Sequence, residues 1–171
     1  FEAISDRPIA LHLPPELQTL QQGERAAEYI WVIGASLGGP AAVKEFLDAL
    51  PSGLPIAFVI AQHIDVGFRQ VLAQVWGRHS HFTHIEPIQG QVMCHGQFVI
   101  APVEQVMTIT RNSEVKLHGG HWDGPYSPSI DQVMNSTVDN LGSRTGAILF
   151  SGMGNDGAIA GSKMHELGVN V

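Results

Sequence analysis

At 171 residues the chain is long enough for one domain with a sizeable core, and its 44% apolar and 15% charged content is that of a globular protein. Sixteen acidic against nine basic residues give a formal charge of -7, which argues against nucleic acid or an anionic membrane surface as the main partner, since both select clustered Lys and Arg. A single cysteine, Cys94, excludes an internal disulfide and fits a reducing, cytoplasmic setting, and no apolar run approaches the ~18 residues of a spanning helix.

The chain opens on Phe1 with no signal-peptide pattern, so a fragment of a longer protein is expected. Residues 1–28 carry Pro8, Pro14 and Pro15 and hold no sustained period; they read as an interdomain linker with a short helix from Pro15 to Ala27. Residues 29–171 read as the folded domain. "YIWVIGAS" is a continuous apolar run, as expected of a strand covered on both faces. Pro40 suits the first turn of a helix, and Val43, Phe46, Leu47 and Leu50 give that helix one apolar face until Pro51 and Gly53 end it.

The alternation repeats. "PIAFVIAQH" predicts a second buried strand, and Phe68, Val71, Leu72 and Val75 predict the apolar face of the next helix. "GQFVIAP" and "VMTIT" read as shorter strands, with "EVKLH" able to pair beside them, so an antiparallel insertion is expected within residues 85–120. Ile130, Val133, Met134, Val138 and Leu141 line a further helix opened by Ser129 as N-cap. "TGAILFSG" is another buried strand, Ile159 to Leu167 another helix, and "GVNV" the start of one more strand. Strands alternating with amphipathic helices predict an α/β fold: a doubly wound, mainly parallel sheet with helices on both faces.

Ligands of open α/β sheets sit beyond the carboxyl ends of the strands. There the apolar runs give way to Ser36 in "GASLGG", His63 in "IAQHID" and Asp156 in the Gly-rich "SGMGNDG". A hydroxyl, an imidazole and a carboxylate on one rim are the groups that nucleophilic acyl transfer needs. The base takes the serine proton, and the acid fixes the tautomer of the base. Gly34, Gly38 and Gly39 would clear space around Ser36 and permit a strained turn, and the Leu37 amide would face a developing oxyanion.

Each residue also has a plainer reading. Ser36 could cap the helix that follows, His63 could be a hydrogen-bonded strand end, and Asn155-Asp156-Gly157 is ordinary turn chemistry. Phosphate binding by "GASLGG" fails on spacing, since neither Gly-x-Gly-x-x-Gly nor Lys-Ser/Thr is present. The α/β-hydrolase order of Ser, acid, His would need an acid such as Asp131 with His165, which falls inside the last helix. His79, His81 and His84 have no standard metal spacing and no accompanying thiolate or acid, so no metal is expected. Cys94 beside His95 reads as structural, because adjacent strand residues face opposite sides.

"VIGASLGGPAAVKEFL", "AQHID", "FVIAP", "PSID" and "SGMGNDG", in that order from about Tyr29 to Val171, resemble the catalytic domain of the chemotaxis receptor protein-glutamate methylesterases, the CheB-type family. The resemblance implies a cofactor-free serine hydrolase of glutamyl methyl esters on the helical bundle of methylated receptors, with glutamine deamidation in some members. It implies Ser36, His63 and Asp156 as triad and the Met153 amide as oxyanion donor beside that of Leu37. Gly152, Gly154 and Asn155 support the site from the same loop.

It also implies a receiver domain before the linker and a final strand and helix beyond Val171. The chain departs from the family at Leu37 (usually Thr), at Val106 (often His) and at Ser127 of Ser-Pro-Ser (often Arg). All three departures are expected at the rim of the substrate site. They support one alternative: a catalytically weak receptor-binding module of the same fold.

Overall fold

The computed structural model describes residues 25–150 and 154–171. Its sheet has the order β3-β4-β2-β1-β7, every neighbouring pair parallel. β1 (Tyr29–Ala35) and β2 (Ile56–Gln62) are central; β3 (Thr83–His84), β4 (Gln97–Ile100) and β7 (Thr145–Leu149) flank them. β5 (Met107–Ile109) and β6 (Val115–Leu117) form a separate antiparallel pair, the insertion expected within residues 85–120.

The continuous apolar runs are explained by helices on both faces. Alternate strand residues pack to opposite sides: Ile33, Ala35, Phe58, Ile60, Phe98 and Ile100 meet α1 (Gly39–Ala49) and α2 (Arg69–Gly77). Ile30, Val32, Val59, Ala61, Val99 and Ala101 meet α3 (Ile130–Leu141), α4 (Ala158–Glu166) and the β5-β6 hairpin. All five expected apolar positions of α3 are buried, and the Ser129 side chain accepts a hydrogen bond from the Gln132 amide as its N-cap.

Three expectations need correction. In α2 the buried residues are Ala73 and Trp76, with Leu72 partly buried against the same core, while Phe68, Val71 and Val75 face outward. Phe68 belongs to a 3-10 turn (Val66–Phe68) before the helix, so the heptad-like spacing spanned two elements and mispredicted the face. Trp76 settles the orientation by filling the core and donating from Nε1 to the Pro40 carbonyl at 3.0 Å. α4 forms where expected, with Ala160 and Met164 turned inward and Ile159 and Leu167 exposed.

The short helix expected up to Ala27 lies outside the described residues as far as residue 24, and residues 25–27 are not helical. Ala26 bridges Cys94, and the Ala27 amide donates to the Met93 carbonyl at 2.8 Å. At the other end, Asn170 accepts from the Ala147 amide at 3.0 Å, so the "GVNV" segment lies along the outer edge of β7 without forming a regular strand. Among the described residues, no helix is long and apolar enough to cross a membrane.

Candidate active site

Register brings the site together. β1 pairs with β2 so that Ala35 stands opposite Gln62, and the His63 amide donates to the Ala35 carbonyl at 2.9 Å. The next residue out on each strand is therefore Ser36 and His63. On the other side of β1, Gly34 stands opposite Leu149, which places the loop after β7, and with it Asp156, on the same rim. β1 is also where the chain winds outward in both directions, through α1 to β2 and through α3 to β7. The rim beside it is thus the topological switch point of the sheet.

The three side chains form one hydrogen-bonded file. Ser36 Oγ lies 3.2 Å from His63 Nδ1, and His63 Nε2 lies 2.8 Å from Asp156 Oδ2. An ionised carboxylate can only accept, so Nε2 carries the proton and the Nδ1 lone pair faces the serine hydroxyl. This ring orientation is opposite to the one in the chymotrypsin-type triad, where Nε2 faces the serine. Ser36 does not cap α1: the N-cap is Gly38, with no side-chain cap bond.

Asp156 is the best-fixed member. Its side chain is 3% exposed, and it sits across the first turn of α3. Oδ2 also accepts from the Ile130 amide at 2.7 Å, and Oδ1 accepts from the Asp131 amide at 2.8 Å and the Ser129 hydroxyl at 3.4 Å. Burial pushes its pKa up, but the bonds from His63, Asp131 and Ile130 outweigh burial and hold the carboxyl below the ordinary value. The positive end of the α3 dipole acts in the same direction. Asp131 returns the arrangement, its Oδ1 accepting from the Ala160 amide in the first turn of α4. Asp131 therefore works as a cap, and His165 is exposed on α4, so the hydrolase-order alternative has no geometry here.

The glycines divide by role. Gly38, at φ 82°, makes the left-handed turn that starts α1, with nothing near its missing Cβ. Gly34 and Gly39, expected from sequence to clear room around Ser36, also permit close packing, and Gly34 lines a small recess together with Ser36, His63 and Asp156. A Cβ on Gly34 would lie 2.6 Å from Ile130 Cγ2 and 2.7 Å from Leu149 Cδ2. One on Gly39 would lie 2.6 Å from the Ala35 Cβ and 2.8 Å from Gln62 Oε1. The Gly39 amide closes the turn on the Ser36 carbonyl at 2.8 Å, and among the described residues none accepts from the Leu37 amide. Gly152 and Met153 lie outside the described residues. Gly154 and Asn155 lead into Asp156, and the Asn155 carbonyl accepts from the Ala158 amide at 3.0 Å.

In front of the file is an open cleft of about 460 Å³, lined by Ser36, His63, Ile64, Asp65, Pro125, Tyr126 and Ser127. Ser127 thus lines the cleft, whereas Leu37, exposed and next to Ser36 in the chain, is not among the lining residues. Val106, expected there too, instead packs against the core with Leu117 beside the hairpin, because its carbonyl is tied to the His118 amide. His79 and His81 are not joined with His84 into a metal site; among the described residues, no group of three or more His, Cys, Asp or Glu could hold a metal ion. Burial pushes the Cys94 thiol pKa up, as suits an unreactive structural cysteine.

Two residues at the site escaped the sequence reading. Gln62 is fully buried, and its Nε2 donates to the Ser36 carbonyl at 2.9 Å and the His63 carbonyl at 3.3 Å, bracing the two strand ends. A polar residue closing an apolar strand was its available signal. Tyr126 stacks on the His63 ring, and nothing in its irregular segment marked it out.

A doubly wound parallel sheet thus carries a Ser–His–Asp file at its switch point. Residues 31–171 match the CheB methylesterase family, and the chain belongs to that family. It is 34% identical over 155 residues to protein-glutamate methylesterase/protein-glutamine glutaminase 6 of Anaeromyxobacter dehalogenans, a match covering 82% of this chain and 44% of the relative. Against the Salmonella typhi protein of the same type it is 32% identical over 165 residues, covering 94% of this chain and 47% of the relative. The chain thus spans less than half the length of these relatives. The crystal structure of the Thermotoga maritima CheB methylesterase catalytic domain superposes with a TM-score of 0.75 at 28% identity, covering 82% of this chain and 76% of that one.

Proposed function

We propose that this domain is a serine esterase that removes methyl groups from glutamyl methyl esters on the helical bundle of chemoreceptor-type signalling proteins. The observation that carries the proposal is the continuous file from Ser36 Oγ through His63 to Asp156. Ser36 attacks the ester carbonyl while its proton passes to His63 Nδ1. The oxyanion that forms is met by the Leu37 amide and, on the family resemblance, by that of Met153. His63 then returns the proton to the departing methoxide, which leaves as methanol. Water, deprotonated by the same nitrogen, hydrolyses the acyl-enzyme to the glutamate carboxylate. Asp156 keeps the Nε2–H tautomer and stabilises the imidazolium formed in each half-reaction.

No step calls for a metal or organic cofactor. Methanol is a small leaving group, so the open cleft suits a side chain presented on a protein surface better than a free ligand that must be enclosed. Glutamine deamidation uses the same groups with ammonia leaving, and the relatives' names carry both activities. The family relationship supports a preceding receiver domain as regulatory partner, residues 1–28 as the linker to it, and a cytoplasmic setting.

The test is methanol release from a methylated receptor fragment by the full-length protein and its Ser36→Ala variant. Release by the parent and none by the variant is expected. Equal, negligible release from both would replace the esterase with a receptor-binding module. His63→Gln should lower the rate by about 10² or more, and His165→Gln should not.

A further inference from the structure

The strongest unassigned feature of the site is the ring of Tyr126. It lies parallel to the imidazole of His63, with centroids 4.9 Å apart and 5° between the planes. Its hydroxyl occupies the space that a Cβ on Gly154 would fill, 2.7 Å away, where the backbone holds φ 109°. Gly154 is therefore a socket for this side chain, in the loop that delivers Asp156. The segment carrying Tyr126 is anchored directly behind it: Ser129 caps α3 and touches Asp156, and the Asp123 amide and carbonyl are both bonded to the Gln132 side chain. The ring is thus held from two sides and laid flat against the base.

We propose that Tyr126 is a positioning residue for His63, a proposal that rests on reading His63 as the general base. Asp156 fixes only one nitrogen of the ring, and rotation about that hydrogen bond would swing Nδ1 away from Ser36 Oγ. A parallel aromatic plane on one face stops this rotation at the angle where Nδ1 stands 3.2 Å from the hydroxyl. The same π face favours the positively charged imidazolium that forms as the serine proton arrives. The function belongs to the ring, and the hydroxyl serves only to seat it in the Gly154 socket.

Tyr126→Phe and Tyr126→Leu in the full-length protein separate this role from its rivals, with Ser36→Ala alongside. The phenylalanine variant should retain kcat within about twofold. Leucine should lower kcat by about 10- to 100-fold, the range expected when a reacting group is misplaced by a fraction of an ångström to an ångström, with KM within threefold and an unchanged melting temperature. In NMR spectra of the parent protein, the His63 ring protons should be displaced upfield by the ring current of Tyr126. They should stay so in the phenylalanine variant and lose the displacement in the leucine variant. The NMR measurement on the parent needs neither turnover nor a stable leucine variant. A leucine variant with undiminished kcat, a loss carried entirely by KM, an equal loss with phenylalanine, or His63 protons at undisplaced positions would each overturn the proposal. An active Ser36→Ala protein would instead remove the esterase reading beneath it.

Discussion

Asp156→Asn is the sharpest single perturbation of this site. Every hydrogen bond to the carboxylate comes from a donor: His63 Nε2, the Ile130 amide, the Asp131 amide and the Ser129 hydroxyl. An amide side chain has one accepting oxygen, so its NH2 must face a donor whichever way it turns. With NH2 in place of Oδ2 it opposes the Ile130 amide, and His63 must move its proton from Nε2 to Nδ1. That proton then points at Ser36, and the base is lost. With NH2 in place of Oδ1 it opposes the Asp131 amide at the 2.8 Å contact.

One charge-assisted bond is lost and one buried N–H is left unpaired at a side chain 3% exposed, which together cost roughly 3 kcal/mol. For a domain of this size that lowers the melting temperature by roughly 6–12 °C. In either orientation the imidazolium loses the charge opposite it, and in the first the wrong tautomer is added; together these cost on the order of 10³- to 10⁴-fold in kcat. Methanol release and thermal unfolding of the same preparation give both numbers. An Asn variant within tenfold of the parent rate, or one melting at the parent temperature, would refute the role assigned to this carboxylate.

The other predictions concern the carboxylate's titration and the packing around it. Because the folded-state pKa of Asp156 is depressed, its stabilisation is fully present above the ordinary value of about 4 and is lost as pH falls through the lower folded value. The melting-temperature gap between parent and Asp156→Asn should therefore be constant from about pH 5 to 7 and shrink below about pH 4; a gap that widens in acid would contradict the sign. Gly34→Ala forces a methyl against Ile130 and Leu149 and should cost about 1–3 kcal/mol. It should also lower kcat, since Ile130 carries an amide that holds Asp156; denaturant unfolding and methanol release check both. Val71→Ser on the outward face of α2 should change stability by less than about 0.5 kcal/mol, whereas Trp76→Ala should cost about 3–5 kcal/mol. The reverse ranking in urea unfolding would restore the helix face read from sequence.

Much of the fold was legible because burial on both faces leaves a plain mark. Long apolar runs broken by Gly, Ser or His at their carboxyl ends predicted β1, β2 and β7 and named Ser36, His63 and Asp156. α3 was legible down to its cap, since Ser129 and five apolar positions share one helical period. α2 was misread because a periodic stripe records spacing without direction, and it cannot tell Phe68 in a preceding turn from a first helical residue. Trp76 chose the buried face once the helix was laid on the sheet.

Reading along the chain is enough to name the chemistry on offer: which groups stand at the strand ends, and that a hydroxyl, an imidazole and a carboxylate are among them. Their use was settled by folding. The pairing of Ala35 with Gln62 set Ser36 beside His63, and the start of α3 took the carboxylate of Asp156 as its anion. Tyr126 was drawn in from a position with no pattern to mark it, and Gln62 from one marked only as a polar end to an apolar strand. Local periodicity encodes burial, which a linear reading recovers, but register and ring stacking are contacts between distant segments, and those exist only after the chain has folded.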